Sequence, residues 1–347
     1  MSDSSIALVT GGSGYFGSLL VAELRAQGRR VRVLDVVDAD DRPTDVELVR
    51  GDIRDAADVR RAVAGTDVVF HNVAQVPLAR DKALFESVNV GGTSTLLAAC
   101  EDAGVRKVVY TSSSAVFGIP ESNPVTRETQ PHPLEAYGRA KYDGELLCRA
   151  AVSRGLDVTI IRPRTILGLG RLGIFGILFD WIADGAAVPV LGDGSNRYQF
   201  VHAHDVATAC ILAGERPGAA TYNIGAEEFG TMRQTVAALC EYAGTGAHVT
   251  SLPIGLTSRA MQATSRLGLA PFGPYHWLMY SKSMWFDLAP AVEELGWRAE
   301  YTTDAAFRDS YDWFLAHRAT LSSQGAGSPH RRLAKQGLLG TAKRVLR

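Results

Sequence analysis

The sequence predicts an α/β protein, a doubly wound parallel sheet with a smaller C-terminal lobe. Two observations carry that prediction. Short apolar runs, which suit buried parallel strands, alternate with helical patterns from Ile6 to Pro163. Beyond Pro163 glycines 168, 170, 173, 176 and 185 break the rhythm into shorter pieces. This divides the chain into residues 1–163, a lobe at 164–320 with some elements returning to the sheet, and a basic, flexible tail at 321–347.

Composition sets the limits. The chain has 347 residues, 46% hydrophobic and 21% charged, with a formal net charge of −1, so a substantial core is expected. Nothing in the overall charge points to nucleic acid. Cys100, Cys148, Cys210 and Cys240 are widely separated and lie in apolar helical patterns, so buried thiols in a reducing cytoplasm are expected, with no metal site. No secretory signal precedes the first strand. Leu172–Leu191 contains Asp180, Asp184, several glycines and Pro189, and fails as a spanning helix.

In order, the apolar run around Leu8 and Val9 reads as the first strand, and Leu19, Leu20, Ala22, Leu24 and Ala26 as the apolar face of the first helix, ended by Gly28. Strands follow at Val31–Asp35, Val46–Val49 and Asp67–Phe70. A long helix spans about Lys82 to Ala103, and strand five runs Lys107–Thr111. A proline-rich loop leads to a helix over about Leu134–Ser153, then strand six at Asp157–Arg162. In the lobe a helix near Phe175–Asp184, strands near Val188–Leu191, Tyr198–His202 and Thr221–Ile224, and a helix at Val206–Ala213 are expected. Ser322–Pro329 reads as a linker.

Between strand one and helix one lies Gly11-Gly12-Ser13-Gly14-Tyr15-Phe16-Gly17. Gly12, Gly14 and Gly17 satisfy G-x-G-x-x-G, and Gly11, Gly14 and Gly17 satisfy G-x-x-G-x-x-G. Glycines here let a pyrophosphate reach the amides at the helix N-terminus, where the dipole favours negative charge. That makes the fold Rossmann-type. Asp35, 18 residues beyond Gly17 at the end of strand two, can accept both adenosine ribose hydroxyls and would repel a 2′-phosphate, which favours NAD.

Tyr137 and Lys141 stand one helical turn apart on one face. A free tyrosine has a pKa of about 10, and a nearby ammonium favours the tyrosinate. Ser113, at the end of strand five, can hydrogen-bond a substrate hydroxyl or carbonyl. Such a trio moves a proton while a nicotinamide moves a hydride.

These motifs, with Asp52-Ile53, Asn89 and Ser112-Ser113, resemble the extended short-chain dehydrogenases/reductases, and more narrowly the NAD-dependent epimerase/dehydratase group, over about residues 5–318. The resemblance implies that Tyr15 and Phe16 join the glycines at the cofactor, that Asp52 and Ile53 border the adenine, that Ala74 borders the cofactor, and that Asn89 supports the active-site helix. It also implies a homodimer built from helices 82–103 and 134–153.

Three departures narrow the chemistry. Sugar 4,6-dehydratases carry Thr-Asp-Glu where this chain has Ser113-Ser114-Ala115, so the extra acid and base for dehydration are absent. A 4-epimerase needs only reversible hydride transfer, and Arg197 is similar to an arginine with which sugar-nucleotide enzymes hold a diphosphate. Thr165 stands where those enzymes usually carry asparagine, and their second arginine is not evident. The leading expectation is 4-epimerisation of a nucleotide sugar through a transient keto intermediate, with Thr165 and Arg197 binding substrate. The alternative is a 3β-hydroxysteroid-type dehydrogenase, which Arg162-Pro163 with Ile166-Leu167-Gly168 also resembles. The cluster Phe272, Tyr275, Trp277, Tyr280, Trp285 and Phe286 reads as core packing before it reads as an apolar substrate pocket.

Four further sites have readings of their own. Asp205 is expected to cap its helix in preference to forming a metal site with His202 and His204. His71 is expected to be packed and hydrogen-bonded. Gln75 reads equally as a pocket residue or a structural amide. Arg164 is weighed as a contact for an anionic group.

Overall fold

The structure, a computed structural model, describes residues 5–39, 41–75, 82–266, 279–321 and 343. Strands β1 (Ile6–Thr10), β2 (Arg30–Asp35), β3 (Glu47–Arg50), β4 (Thr66–His71), β5 (Lys107–Thr111) and β6 (Val158–Pro163) are joined by β10 (Ala220–Ile224) from the C-terminal half. They form one seven-stranded sheet in the order β10-β6-β5-β4-β1-β2-β3, with every pairing parallel. The strand order reverses between β1 and β4, and a doubly wound sheet opens its crevice at the carboxyl ends of such strands.

Alternation along each strand builds the two faces. Ala7 and Val9 of β1 and Phe70 of β4 pack with Leu20, Val21 and Leu24 of α1 (Tyr15–Ala26). Leu8 and Val69 face the other way, toward Val59 of α2 (Ala56–Val63), Leu96 and Cys100 of α3 (Gly92–Ala103), and Cys148 of α4 (Ala136–Ser153). The predicted helix 82–103 is interrupted: α3 is preceded by a helical turn at Lys82–Leu84 and a π-helical stretch at Phe85–Gly91. All four cysteines are free and buried.

The C-terminal elements are β7 (Thr165–Leu167), α5 (Gly173–Ala183), β8 (Val188–Leu191), β9 (Phe200–His202), α6 (Ala203–Glu215), α7 (Met232–Ala243), β11 (Val249–Leu252), α8 (Ile254–Arg266), α9 (Ala289–Leu295) and α10 (Thr303–Leu321). Helix α6 returns to the first sheet face through Val206, Ala207 and Cys210, as β10 returns to its edge. A separate core joins Phe175 and Phe179 of α5, Phe200, Val236 of α7, and Phe307 and Phe314 of α10. Strand β8 pairs with β11 and β7 with β9.

The segment Leu172–Leu191 resolves into α5 and β8, and no described helix is long and apolar enough to cross a membrane. Helix α6 is not capped by Asp205. The helix starts earlier, and His202 accepts the amide of His204 instead, while the Asp205 carboxylate accepts the amides of Glu300 and Tyr301. Phe272, Tyr275 and Trp277, and all of the tail except Leu321 and Lys343, lie outside the described residues. Lys343 forms ion pairs with Asp180 and Asp184.

Candidate active site

Eleven of the expected site residues line one cleft of about 470 Å³ at the carboxyl edge of the sheet: Gly11, Gly14, Tyr15, Phe16, Gly17, Asp35, Ala74, Ser113, Tyr137, Lys141 and Thr165. Glycine is dictated by close approach at one end of the loop. A Cβ on Gly17 would stand 2.0 Å from the carbonyl oxygen of Gly11, itself at φ +72°. The cradle between β1 and α1 therefore stays narrow and presents backbone amides, which fits a pyrophosphate.

Asp35 ends β2 with its carboxylate accepting the amides of Ser13 at 3.1 Å and Val37 at 3.3 Å. Burial raises its pKa, and those amides oppose the shift. Spare lone pairs still face the cleft, as a ribose contact requires. The residues present fit NAD.

The candidate trio of Ser113, Tyr137 and Lys141 is assembled by close packing of α4 on β5. A Cβ on Gly138 would come within 2.5 Å of the Ala115 carbonyl oxygen, and one on Gly144 within 2.2 Å of the Tyr110 hydroxyl. These two glycines let the helix approach. Glu135 caps α4, its carboxylate accepting the amides of Tyr137 at 2.7 Å and Gly138 at 2.6 Å. Lys141 is buried, with Nζ donating to the Thr111 carbonyl at 2.7 Å, and desolvation lowers its pKa to about 8. Ser113 starts a 3₁₀ turn, Ser114–Phe117, by accepting the Ala115 amide at 3.2 Å. Phe85 stands edge-on to the Tyr137 ring.

Three expected residues lie outside the cleft lining. Asp52 is held in an ion pair by Arg54, and Ile53 is buried against Gly92. Arg197 is exposed, its guanidinium 4.8 Å from the Phe229 ring and 4.7 Å from the Trp285 ring. Asn89 holds the loop after β4, its Oδ1 accepting from Gln75 N at 2.7 Å and its Nδ2 donating to Gln75 O at 3.1 Å, and the π-helical stretch that carries it packs on α4. His202 pairs with Asp309, and His204 with Glu23 and Glu300.

Sequence reasoning missed Glu135, Glu145 and Arg171. Glu145 is fully buried and takes a bidentate contact from Arg162 and a hydrogen bond from Ser112 Oγ. Arg171 lines the cleft over the Tyr15 ring, and burial lowers its pKa. An acidic residue directly before the first helical position, Ala136, was a readable signal for Glu135. The other two depend on tertiary contacts. Arg164 is buried between the rings of Tyr198 and Phe286, with Nη1 3.0 Å from Met284 Sδ.

Residues 7–225 match the NAD dependent epimerase/dehydratase family, and the chain belongs to it. Its cofactor is NAD. Among relatives, uncharacterized protein y4nG of Sinorhizobium fredii is 52% identical, over 98% of this chain and 86% of that protein. A ketoreductase of Stigmatella aurantiaca, named for 4-hydroxy-2-methyl-3-oxo-4-farnesyl-3,4-dihydroquinoline-1-oxide, is 29% identical, over 92% of this chain and 96% of its own. The solved structure of MoeE5 with UDP-glucuronic acid and NAD superposes with a TM-score of 0.73 at 26% identity, over 91% of this chain and 100% of that one.

Proposed function

We propose that the protein interconverts a secondary alcohol and a ketone, with Tyr137 as acid/base. The observation that carries this reading is the placement of Tyr137, buried Lys141 and Ser113 in the same cleft as the glycine loop and Asp35. NAD, when bound, supplies the hydride acceptor or donor. Tyr137 takes the hydroxyl proton in one direction and returns it in the other. The Lys141 ammonium favours the tyrosinate, and its bond to Thr111 holds it in place. Ser113 Oγ fixes the substrate oxygen and so orients the reacting carbon.

Two finer readings share this chemistry. A nucleotide-sugar substrate is supported by the UDP-glucuronic acid and NAD held by MoeE5, and internal return of the hydride, as in 4-epimerisation, by a relative named UDP-glucose 4-epimerase. Oxidation or reduction of an apolar alcohol or ketone is supported by the farnesylated ketone named for the Stigmatella relative. Arg197, the cation expected to meet a diphosphate, lies outside the cleft lining, and the arginines that do line it are Arg164 and Arg171.

The test is turnover of uridine- and thymidine-diphospho-hexoses against 3β-hydroxysteroids with NAD, followed as NADH absorbance and by product analysis. Tyr137→Phe is expected to lower turnover by about 10²–10⁴-fold while leaving NAD binding intact. Unchanged turnover in Tyr137→Phe would remove the reading.

A further inference from the structure

Arg171 stands at the glycine loop without an anion. The segment that carries it, between β7 and α5, turns back on itself, and Arg171 N donates to the Gly168 carbonyl at 3.0 Å. Gly170, directly before Arg171, has φ +76°, a conformation that glycine permits. Ser310 Oγ of α10 accepts the Gly168 amide at 2.9 Å and ties the turn to the C-terminal lobe. The turn rests on Tyr15. A Cβ on Gly168 would stand 3.0 Å from the Tyr15 hydroxyl, and Arg171 Cζ lies 5.5 Å from the centre of the Tyr15 ring. Tyr15 is the first residue of α1, where the helix offers its free amides.

The cationic side chains among the described cleft lining are Lys141, Arg164 and Arg171. Lys141 is buried and donates to the Thr111 carbonyl. Arg164 is sealed, its Nε and Nη2 having almost no accessible surface. Arg171 is half-buried, its guanidinium nitrogens keep accessible surface, and none of them meets an acceptor or an ion-pair partner among the described residues. Asp35, the carboxylate of the described lining, is turned to the amides of Ser13 and Val37. A guanidinium stripped of water and left without an anion is unfavourable, and a bound anion would relieve it.

NAD brings a doubly anionic pyrophosphate. The helix dipole meets it with roughly half a unit charge. Gly11–Gly17 contains no cationic side chain. We propose that Arg171 is the cation of the NAD site, donating from the C-terminal lobe to the pyrophosphate oxygens that the glycine loop holds from the N-terminal one. This holds whichever alcohol or ketone the cleft takes.

The test is calorimetric titration of the full chain with NAD and ADP-ribose, and with adenosine in competition against NAD. Arg171→Gln is expected to weaken NAD and ADP-ribose alike by about 10–100-fold and to leave adenosine within about twofold. Arg171→Lys keeps the charge and loses the planar fork, so a loss of about three- to tenfold is expected. It carries the test where Arg171→Gln does not fold. Affinity for ADP-ribose is also expected to fall less steeply with salt in Arg171→Gln than in the wild type.

The proposal is overturned if ADP-ribose binds the variants as tightly as the wild type. It is also overturned if adenosine weakens in parallel, which would make Arg171 a support of the fold. A loss confined to the affinity of the NAD-loaded chain for UDP-glucose would place Arg171 on the substrate and overturn it as well. None of these outcomes bears on whether turnover depends on Tyr137, so this proposal and the hydride reading fail separately.

Discussion

The ammonium of Lys141 donates to the carbonyl of Thr111 at 2.7 Å, and this bond ties the turn beyond Tyr137 to the end of the strand that leads into Ser113. The charge is held where water does not reach, with the face of the Tyr110 ring 5.0 Å away. A cation so placed has a poorly screened field.

Its pKa of about 8 sets a sign for stability. Below pH 8 Lys141 is protonated in both folded and unfolded chains, and the desolvation cost is present in full. Between pH 8 and about 10.4 the unfolded chain binds the proton and the folded chain does not, so this group's contribution to stability rises with pH. Lys141→Met is therefore expected to unfold at higher denaturant concentration than the wild type at pH 7, with the difference shrinking above pH 8, and to lose turnover. Urea melts of both proteins across that range check it.

Asp35 is the residue expected to discriminate between cofactors. Its carboxylate faces the cleft beside the loop that Ser13 belongs to, and a 2′-phosphate there would meet an anion with no described ion-pair partner. Asp35→Ser removes the repulsion and also the acceptor for the ribose hydroxyls. NADPH affinity is expected to rise about tenfold and NADH affinity to fall by a similar factor, measured by quenching of tryptophan fluorescence.

Glu145 and Arg162 form the buried pair under the site. Both oxygens of Glu145 are engaged, at 2.8 and 2.7 Å by Arg162, with Ser112 Oγ at 2.7 Å. Arg162 also lies over the Phe117 ring. Glu145→Gln leaves a buried guanidinium without its counter-charge. A loss of about 3–5 kcal/mol in denaturant unfolding is expected, against a near-neutral result for Glu101→Gln, whose partner Arg154 is exposed.

That pair marks where the sequence stops being legible. The sheet, the glycine loop, Asp35 and the Tyr137–Lys141 turn were readable because each rests on local periodicity or on i, i+4 spacing. Glu145 lies one turn beyond Lys141, yet nothing nearby says that Arg162 will fold over it from another strand. The surroundings of Arg197 were illegible for a related reason: the rings beside it, Phe229 and Trp285, come from distant segments. Asp205 looked like a cap because its helix was expected to start at Val206. The helix starts at Ala203, and His202 takes the amide.

The hydrogen bonds of His71 fix its tautomer, and with it an acid sensitivity. Thr93 Oγ1 gives its proton to the Asn89 carbonyl at 2.7 Å, so it must accept from His71 Nε2 at 2.9 Å. Thr10 Oγ1, which accepts the amides of Asn72 and Val73, is left to donate to Nδ1 at 2.8 Å. The ring is neutral with its proton on Nε2, and a second proton on Nδ1 would face the Thr10 donor. Burial and the nearby Lys141 charge lower its pKa to about 3. Between pH 6.5 and 3 the unfolded chain binds this proton and the folded chain refuses it. Stability therefore falls as pH falls, by up to about 1.4 kcal/mol per pH unit from this group. His71→Gln removes the titration. The variant is expected to be less stable near pH 7, where its bonds to Thr10 and Thr93 are imperfectly replaced, and to lose less stability than the wild type on going to pH 5. Urea midpoints at the two pH values decide it, and equal acid slopes would show that His71 titrates in the folded chain.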